Sequence, residues 1–252
     1  MRDLQNVMRR LRPGDRLSHV TAARWLGLPL PLSRSAPESG PSHVTSGPGL
    51  SQIRARGVVG HRDSGEEVVV VRGVAVSAPE RLFLELAGVL GHEDLVAIGD
   101  HLVLVPRFRE RGRPFTTIDA LAASAATGSH AKGAPAARRA IARIRPGVES
   151  PQESRLRLLL ADAGLPEPVC GYELRGPRGW IGWFDLAWPE HRVLGEYDGD
   201  QHRSDPAQYE KDRRRDDLAL DAGWHPVHVR ASGLRPDARE DTVTRFRRAL
   251  RL

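Results

Sequence analysis

The stretch Trp180 to His202, WIGWFDLAWPEHRVLGEYDGDQH, limits what this chain can fold into more than any other part of it. Two apolar runs, Trp180 to Trp188 and Arg192 to Tyr197, flank a Pro189-Glu190 turn and read as neighbouring strands. Asp185 sits inside the first and Glu196 near the end of the second. A carboxylate inside an apolar strand is costly to bury unless it is paired or binds a cation. Two of them on adjacent strands, followed at once by Asp198, Gly199 and His202, point to a metal site.

The flanking segments suit such a site. PQESRLRLLLADAG predicts a helix with Pro151 at its start, Gly164 as its stop, and Leu156, Leu159, Leu160 and Ala163 at helical spacing. Glu153 lies three before Leu156 and seven before Leu160, so it shares the apolar stripe. Alternatively it is a plain capping carboxylate, favoured in a first turn by the helix dipole. QYEKDRRRDDLALDAGW predicts a second helix carrying Tyr209, Asp212, Arg213, Arg215 and Leu220, stopped by Gly223. Arg213, Arg214 and Arg215 in one turn are ordinarily a solvated face, but beside carboxylates that hold a cation they become phosphate contacts. HPVHVR then reads as a strand, and Glu240 to Leu252 as an amphipathic helix.

The chemistry that wants this arrangement is phosphodiester hydrolysis. Carboxylates on neighbouring strands hold Mg²⁺ or Mn²⁺, which polarises a phosphoryl oxygen and lowers the pKa of a bound water. Gly199 would let the chain turn sharply away from the metal. His202, titrating near neutrality, would serve as general base or leaving-group acid.

Composition narrows the rest. In 252 residues, 40% hydrophobic and 28% charged, there is enough apolar material for a core, and no run approaches a membrane span. The opening MRDLQNVMRRLRPGD has no uninterrupted apolar stretch and is no secretory signal, and the single Cys170 excludes a disulfide framework. Both fit a soluble cytoplasmic protein without a membrane partner. Before Pro151 there are 21 Lys and Arg against 14 Asp and Glu, and from Pro151 on 17 against 18. The excess of positive charge therefore lies in the first part, where it suits a phosphate backbone or an ordinary basic surface.

That first part opens on a short helix within SHVTAARWLGLPLP, with Ser18 or Thr21 as N-cap and Gly27 as stop, the candidate start of a helical hairpin. Ser33 to Leu50, dense in Ser, Pro and Gly, reads as a loop. IRARGVVGHR and EEVVVVRGVAVS carry strand and hairpin grammar. SAPERLFLELAGVLG, HEDLVAIGDHLVL and TIDALAASAA read as helices, and the Arg- and Ala-rich segment 128–147 as a basic connecting helix and linker. The expected boundary lies near Pro146.

These segments together resemble known families. ES-PQES-LR, FDLAWPEHRVLGEYDGDQH and Y-KDRRRDDL-LDAGWHPVHVR resemble the nuclease-like domains related to very-short-patch-repair endonucleases, within the PD-(D/E)XK superfamily. The resemblance runs from about Glu149 to Arg230. It implies an α+β domain with a restriction-endonuclease-like αβββαβ core. It carries a Mg²⁺ or Mn²⁺ active site onto Glu153 as the first-helix carboxylate, Asp185 and Glu196 as metal ligands, and Asp198 and His202, with Asp198 either a further ligand or the group that orients His202. Asp212 and Arg215 match polar positions of the helix that follows, and Tyr209 and Gly199 lie in supporting places. One position departs from the pattern: the motif lysine is replaced by Asp198, so that the cation would come from Lys211, Arg213 or Arg215. HVTAARWLGLPLP, RARGVVGHR, VRGVAVSAPERLFLELA and LVAIGDHLV are similar to AbiEi-type antitoxin-like regions, a winged-helix-containing group of repressors. In this reading residues 1–76 form a winged-helix-like region with Arg54 and Arg56 placed for phosphate. Residues 77–146 form a helical connector, and 147–252 the endonuclease-like domain.

Three functions compete on these readings. The first is a metal-dependent DNA endonuclease whose N-terminal part positions DNA, acting as a dimer where both strands are cut. The second is a DNA-binding regulator of antitoxin type that keeps a silent nuclease fold, motivated by the missing lysine. The third is a hydrolase or metal-binding domain unrelated to nucleic acid, built on the Asp198-Gly199-Asp200-Gln201-His202 loop. His101, His191, His225 and His228 show no ligand spacing and read as surface or core-edge residues.

Overall fold

The computed structural model describes residues 7–35, 40–63, 65, 67–108, 110, 112–128, 132–199 and 206–252, with backbone alone over 206–209. The chain divides into two units, one of residues 1–103 and 109–144, the other of 104–108 and 145–252.

The first unit begins with strand β1 (Asp15–Leu17) and helix α1 (His19–Leu26), which Gly27 ends in the left-handed conformation at φ 72°. The four-residue α2 (Leu32–Ser35) follows, then β2 (Ser42–Ser46), β3 (Val58–Arg62), β4 (Val68–Val71) and β5 (Val74–Ser77). Strand order is β3-β2-β1-β5-β4, with β1 parallel to β5 and β2 parallel to β3. Arg72 and Gly73, at φ 52° and 76°, close the β4–β5 hairpin, where a two-residue loop needs positive φ at both positions. Arg16 is fully buried in this sheet and is neutralised by Asp63 at 2.6 Å, which also meets Arg81 at 3.0 Å.

Four helices complete the unit: α3 (Pro79–Ala87), α4 (His92–Val103), α5 (Ile118–Thr127) and α6 (Ala134–Ile141). Leu82, Phe83 and Leu86 of α3, with Leu95, Ile98 and Leu102 of α4, are wholly buried. These helices cluster with the sheet in one compact unit, which takes in residues 77–103 and 109–144 of the expected connector. One expectation changes: the Ser, Pro and Gly-rich run 33–50 contains strand β2, whereas α1 and the short α2 after it keep the order of the candidate helical hairpin. Among the described residues α2 alone lies between α1 and β2, too short to serve as the recognition helix of a winged helix.

In the second unit α7 (Pro151–Asp162) precedes β6 (Val169–Gly176), β7 (Gly179–Trp188) and β8 (Val193–Asp198). Helix α8 (Pro206–Asp221), β9 (His225–Arg230) and α9 (Arg239–Leu250) follow. The sheet runs β6-β7-β8-β9, antiparallel except that β9 lies parallel to β8. Leu156 and Leu160 of α7 pack with Leu186, Trp188, Val193, Val227, Val229 and, from α9, Phe246 and Leu250. A second cluster joins Leu174, Phe184, Ala187 and Leu194 to Ala219 of α8. The expected α+β class therefore holds, and this unit has the element order αβββαβα. No helix among the described residues is long and apolar enough to cross a membrane.

Strict alternation breaks at Asp185, because Phe184 faces the Ala219 cluster while Leu186 packs in the other. Gly171 sits across from Asp185 on β6, between the Cys170–Leu186 and Tyr172–Phe184 pairs, with φ 59°. A Cβ there would lie 2.6 Å from the carbonyl oxygen of Gly147, so both the conformation and the close backbone approach demand glycine. Gly171→Ala is expected to destabilise this unit by about 2–4 kcal/mol, combining left-handed strain with a backbone clash. An unchanged chemical-denaturation midpoint would contradict that account of the kink.

Candidate active site

Asp185 stands at the β7 end of a row of charged groups that runs through Glu196 of β8 to His228 of β9. The antiparallel β7–β8 ladder ends at the Leu186–Gly195 pair, so Asp185 and Glu196 stand at its end, close enough for the charge of Asp185 to act on Glu196. The parallel β8–β9 ladder then pairs Glu196 with His228. Asp185 Oδ2 accepts the backbone N–H of Tyr197 at 2.7 Å. Glu153 approaches from the first turn of α7, 7% exposed. Its N–H donates to Ser150 Oγ at 3.2 Å, and its Oε2 accepts the N–H of Glu149 at 2.9 Å. The two readings of Glu153 therefore coexist: it caps α7 and it also adds a charge beside Asp185.

The electrostatics follow from this crowding. Burial, and then the charge of Asp185, push Glu153 well above the usual carboxylate range. Glu196 is raised by the same two causes, only partly offset by Arg215 and His228. Asp185 is raised by burial, against the Tyr197 N–H, Arg215 and Arg107, which lower it. Three buried carboxyls, two of them raised further by the charge of Asp185, form an arrangement that a divalent cation would relieve.

The fit to a hard cation rests on Glu196. Its Oε1 is buried and receives no well-directed hydrogen bond among the described residues, although Arg215 Nη2 stands 3.2 Å away as an ion pair. By donor type, the oxygens of Glu153, Asp185 and Glu196 would suit Mg²⁺ or Mn²⁺ rather than a soft metal, but the three carboxyls are not gathered within 4.8 Å of one another in this structure, so a cation would have to draw them together.

Asp198 does not join this set. Expected as a further ligand or as a support for His202, it instead lies 3.1 Å from His228 Nδ1, and its side chain is 42% exposed. Burial pushes Asp198 up, but the hydrogen bond and charge of His228 outweigh that and leave it below the usual range. His228 Nε2 lies 2.9 Å from Asp216 Oδ2. Held between two carboxylates, the imidazole is raised to about 10 and is a cation at neutral pH.

The helix residues sort by face. Arg215 Nη1 donates to the Trp183 carbonyl at 3.2 Å, and its guanidinium lies 4.7 Å from the centre of the Phe184 ring. Gly182 makes room, since a Cβ there would meet Arg215 Cδ at 2.6 Å. Asp212 and Asp216 share this half-buried face, whereas Lys211, Arg213 and Arg214 are exposed. Of the three cations expected to replace the motif lysine, Arg215 is the one brought to the carboxylates. Arg107 arrives from the 104–108 segment, 2.7 Å from Glu149 and 5.2 Å from the Trp183 ring centre.

Other expected residues fall elsewhere. His202 and the side chain of Tyr209 lie outside the described residues. Gly199 has open space where a Cβ would stand and no left-handed φ, so the described backbone does not require glycine there. Arg54 and Arg56 are exposed in the first unit, where Arg54 lines a groove of about 820 Å³ with Arg10, Arg12 and Arg62. Sequence reasoning missed His228, Asp216 and Arg107. The stripe Asp212, Arg215, Asp216, Ala219 at helical spacing was the available signal for Asp216, and it separates Arg215 from its two arginine neighbours.

Comparison with known proteins yields little. No family model and no solved structure matches. Two uncharacterised proteins of Mycobacterium tuberculosis, one from strain CDC 1551 / Oshkosh and one from strain H37Rv, are each 34% identical over 82 residues. Those residues make up 32% of this chain and 30% of each relative, so the likeness covers under a third of either.

Proposed function

We propose that the second unit is a divalent-metal-dependent DNA endonuclease of PD-(D/E)XK type, to which the first unit adds affinity for DNA. The observation that carries this reading is the group Asp185, Glu196 and Glu153, in which burial raises all three carboxyls, the charge of Asp185 raises the other two further, and Glu196 Oε1 is buried with the Arg215 ion pair but no well-directed hydrogen bond among the described residues. Glu153, Asp185 and Glu196 would hold Mg²⁺ or Mn²⁺, which when bound polarises the scissile phosphate and acidifies water. Around them the chain's own groups have distinct parts. Glu153 is held in place for this part by the N–H of Glu149 at the start of α7. Arg215 keeps a fixed positive charge beside Glu196, and His228 a second one fastened by Asp198 and Asp216. Exposed Arg213, Arg214 and Lys211 are suited to phosphate contacts along the strand.

The test is cleavage of supercoiled plasmid, single-stranded and mismatched DNA with Mg²⁺, Mn²⁺ or EDTA, with Asp185→Asn run alongside. We expect metal-dependent nicking by the wild-type chain, reduced at least about 10³-fold in the variant, the order lost when a charged catalytic group is removed. Equal nicking by both proteins would remove Asp185 from the site.

A second reading is a DNA-binding regulator with a silent nuclease fold. It is favoured by the direct ion pair of Arg215 to Glu196, which opposes a cation there, and by the arginine-lined groove of the first unit. Salt-sensitive binding of DNA by folded protein, with no cleavage under any divalent metal, would select it.

A further inference from the structure

A second cluster of potential ligands lies in the first unit, away from the carboxylates and unused by the function proposed above. His19 opens α1 at φ 49°, His43 lies on β2 and His61 on β3. Their rings stack, His61 against His19 at 3.9 Å between centres and against His43 at 5.2 Å. One ring nitrogen from each lies within 4.8 Å of the other two, and His43 Nδ1 stands 3.0 Å from His61 Nε2. We propose that His19, His43 and His61 form a binding site for a divalent transition-metal ion of the zinc class, with a fourth coordination position left to solvent or an added ligand.

Two features of the geometry carry this beyond ring stacking. The first is distance. Zinc–imidazole bonds of about 2.0–2.1 Å in a tetrahedron set ligand nitrogens about 3.3 Å apart, so nitrogens already within 4.8 Å of one another are near enough to converge on an ion once the stacked rings turn to aim at it. The second is the supporting shell. His19 Nδ1 is 3.1 Å from Ser18 Oγ and 3.7 Å from Glu85 Oε2, so the ring's other nitrogen is the one free to serve as ligand. Glu85 is itself fixed by the N–H of His19 at 2.9 Å and by Ser77 Oγ at 3.0 Å. His43 is held by its N–H to Thr21 Oγ1 at 2.8 Å.

Protonation agrees with this geometry. Burial, then His61, His43, Arg81 and Arg16, lower His19 to about 3; burial, then His61, Arg24 and Arg34, lower His43 to about 4; and burial lowers His61. All three are therefore neutral at physiological pH, the form that ligates. Of the arginines whose charge reaches the cluster, Arg16 and Arg81 are ion-paired with Asp63. Nitrogen ligands alone favour zinc, copper, nickel or cobalt over Mg²⁺, in contrast to the all-oxygen site of the second unit. An ion here would tie the start of α1 to neighbouring strands β2 and β3.

The experiment uses the full chain in wild-type and Asp185→Asn forms, loaded with Co²⁺ and dialysed. Metal content is measured together with the visible spectrum, which reports nitrogen ligation, and Zn²⁺ is added as competitor. We expect one Co²⁺ per chain in both forms, with a nitrogen-rich spectrum abolished by Zn²⁺. That ion should be lost in His61→Ala and in His61→Gln, the second variant guarding against misfolding of the first, with far-ultraviolet circular dichroism checking both. Wild-type protein that retains no Co²⁺, or folded His61 variants that retain it with an unchanged spectrum, would overturn the proposal. Neither outcome depends on cleavage, so failure of this site and failure of the nuclease reading are separable.

Discussion

Glu196→Gln is expected to abolish metal-dependent cleavage and, in EDTA at alkaline pH, to make the protein more stable. The sign follows from the direction of the shifts. Glu153, Asp185 and Glu196 are all raised in the folded state, so the native protein holds their protons more tightly than the unfolded chain does. Their contribution to stability is complete below the ordinary carboxylate range and is lost as pH climbs through the native values, up to about 9 for Glu196. His228 acts in the same sense, since its pKa is raised to about 10 and its contribution also disappears as pH rises.

Without metal the second unit should therefore weaken steadily from about pH 5 to 9, a window set by the unfolded carboxylate values and the native shifts. A glutamine amide in place of the Glu196 carboxylate would keep the shape while removing the charge. Its gain should be near zero at about pH 4.5 and reach about 1–2 kcal/mol at about pH 9, a size common when an active-site charge is neutralised. In a thermal scan that is on the order of 5 °C. Mn²⁺ should raise the melting temperature of wild type at about pH 8 and leave that of Glu196→Gln unmoved. A gain of equal size at both ends of this window would show that repulsion among these carboxyls is not its cause.

The carboxylates were legible in the sequence because they interrupt otherwise apolar strands, a local conflict that needs no knowledge of tertiary structure. Asp185 and Glu196 stand out between Phe184 and Leu186 and between Gly195 and Tyr197, and Glu153 keeps the spacing of Leu156 and Leu160. The elements carrying them were legible for the same reason. Their partners were not. His228 meets Glu196 only through a parallel register that the sequence does not encode, and Asp198 turns to His228 because that register supplies a cation. Arg107 reaches the site from a segment more than forty residues upstream of α7. In the first unit β2 is masked because its five residues sit in a Pro- and Gly-rich setting. The helices over 77–146 looked like a connector because periodicity shows that a helix has a buried face but not what covers it.

Arg215→Ala should lower the cleavage rate about 10²–10³-fold, the range for removing one preorganised charge at a phosphoryl or acyl transfer site, about 2.7–4 kcal/mol. The side chain is fixed on three sides, by Phe184 beneath it, by the Trp183 carbonyl and by Glu196. Lysine keeps the charge but loses the planar stack and the fork, so Arg215→Lys should recover only part of the rate although lysine is the residue of the related motif. Gly182→Ala gives the same information without touching a charge. Its Cβ would displace Arg215 Cδ from 2.6 Å, moving the guanidinium off Phe184 and Glu196. A role in folding alone would alter stability in these variants and leave the pH profile in place. Because Arg215 lowers Glu196, its removal should raise Glu196 further and shift the midpoint of Mn²⁺ binding to higher pH. An unmoved midpoint in folded Arg215→Ala protein would mean that the ion pair with Glu196 does not govern ionisation of the site, and that another cation, His228 foremost, stands where the lysine would be.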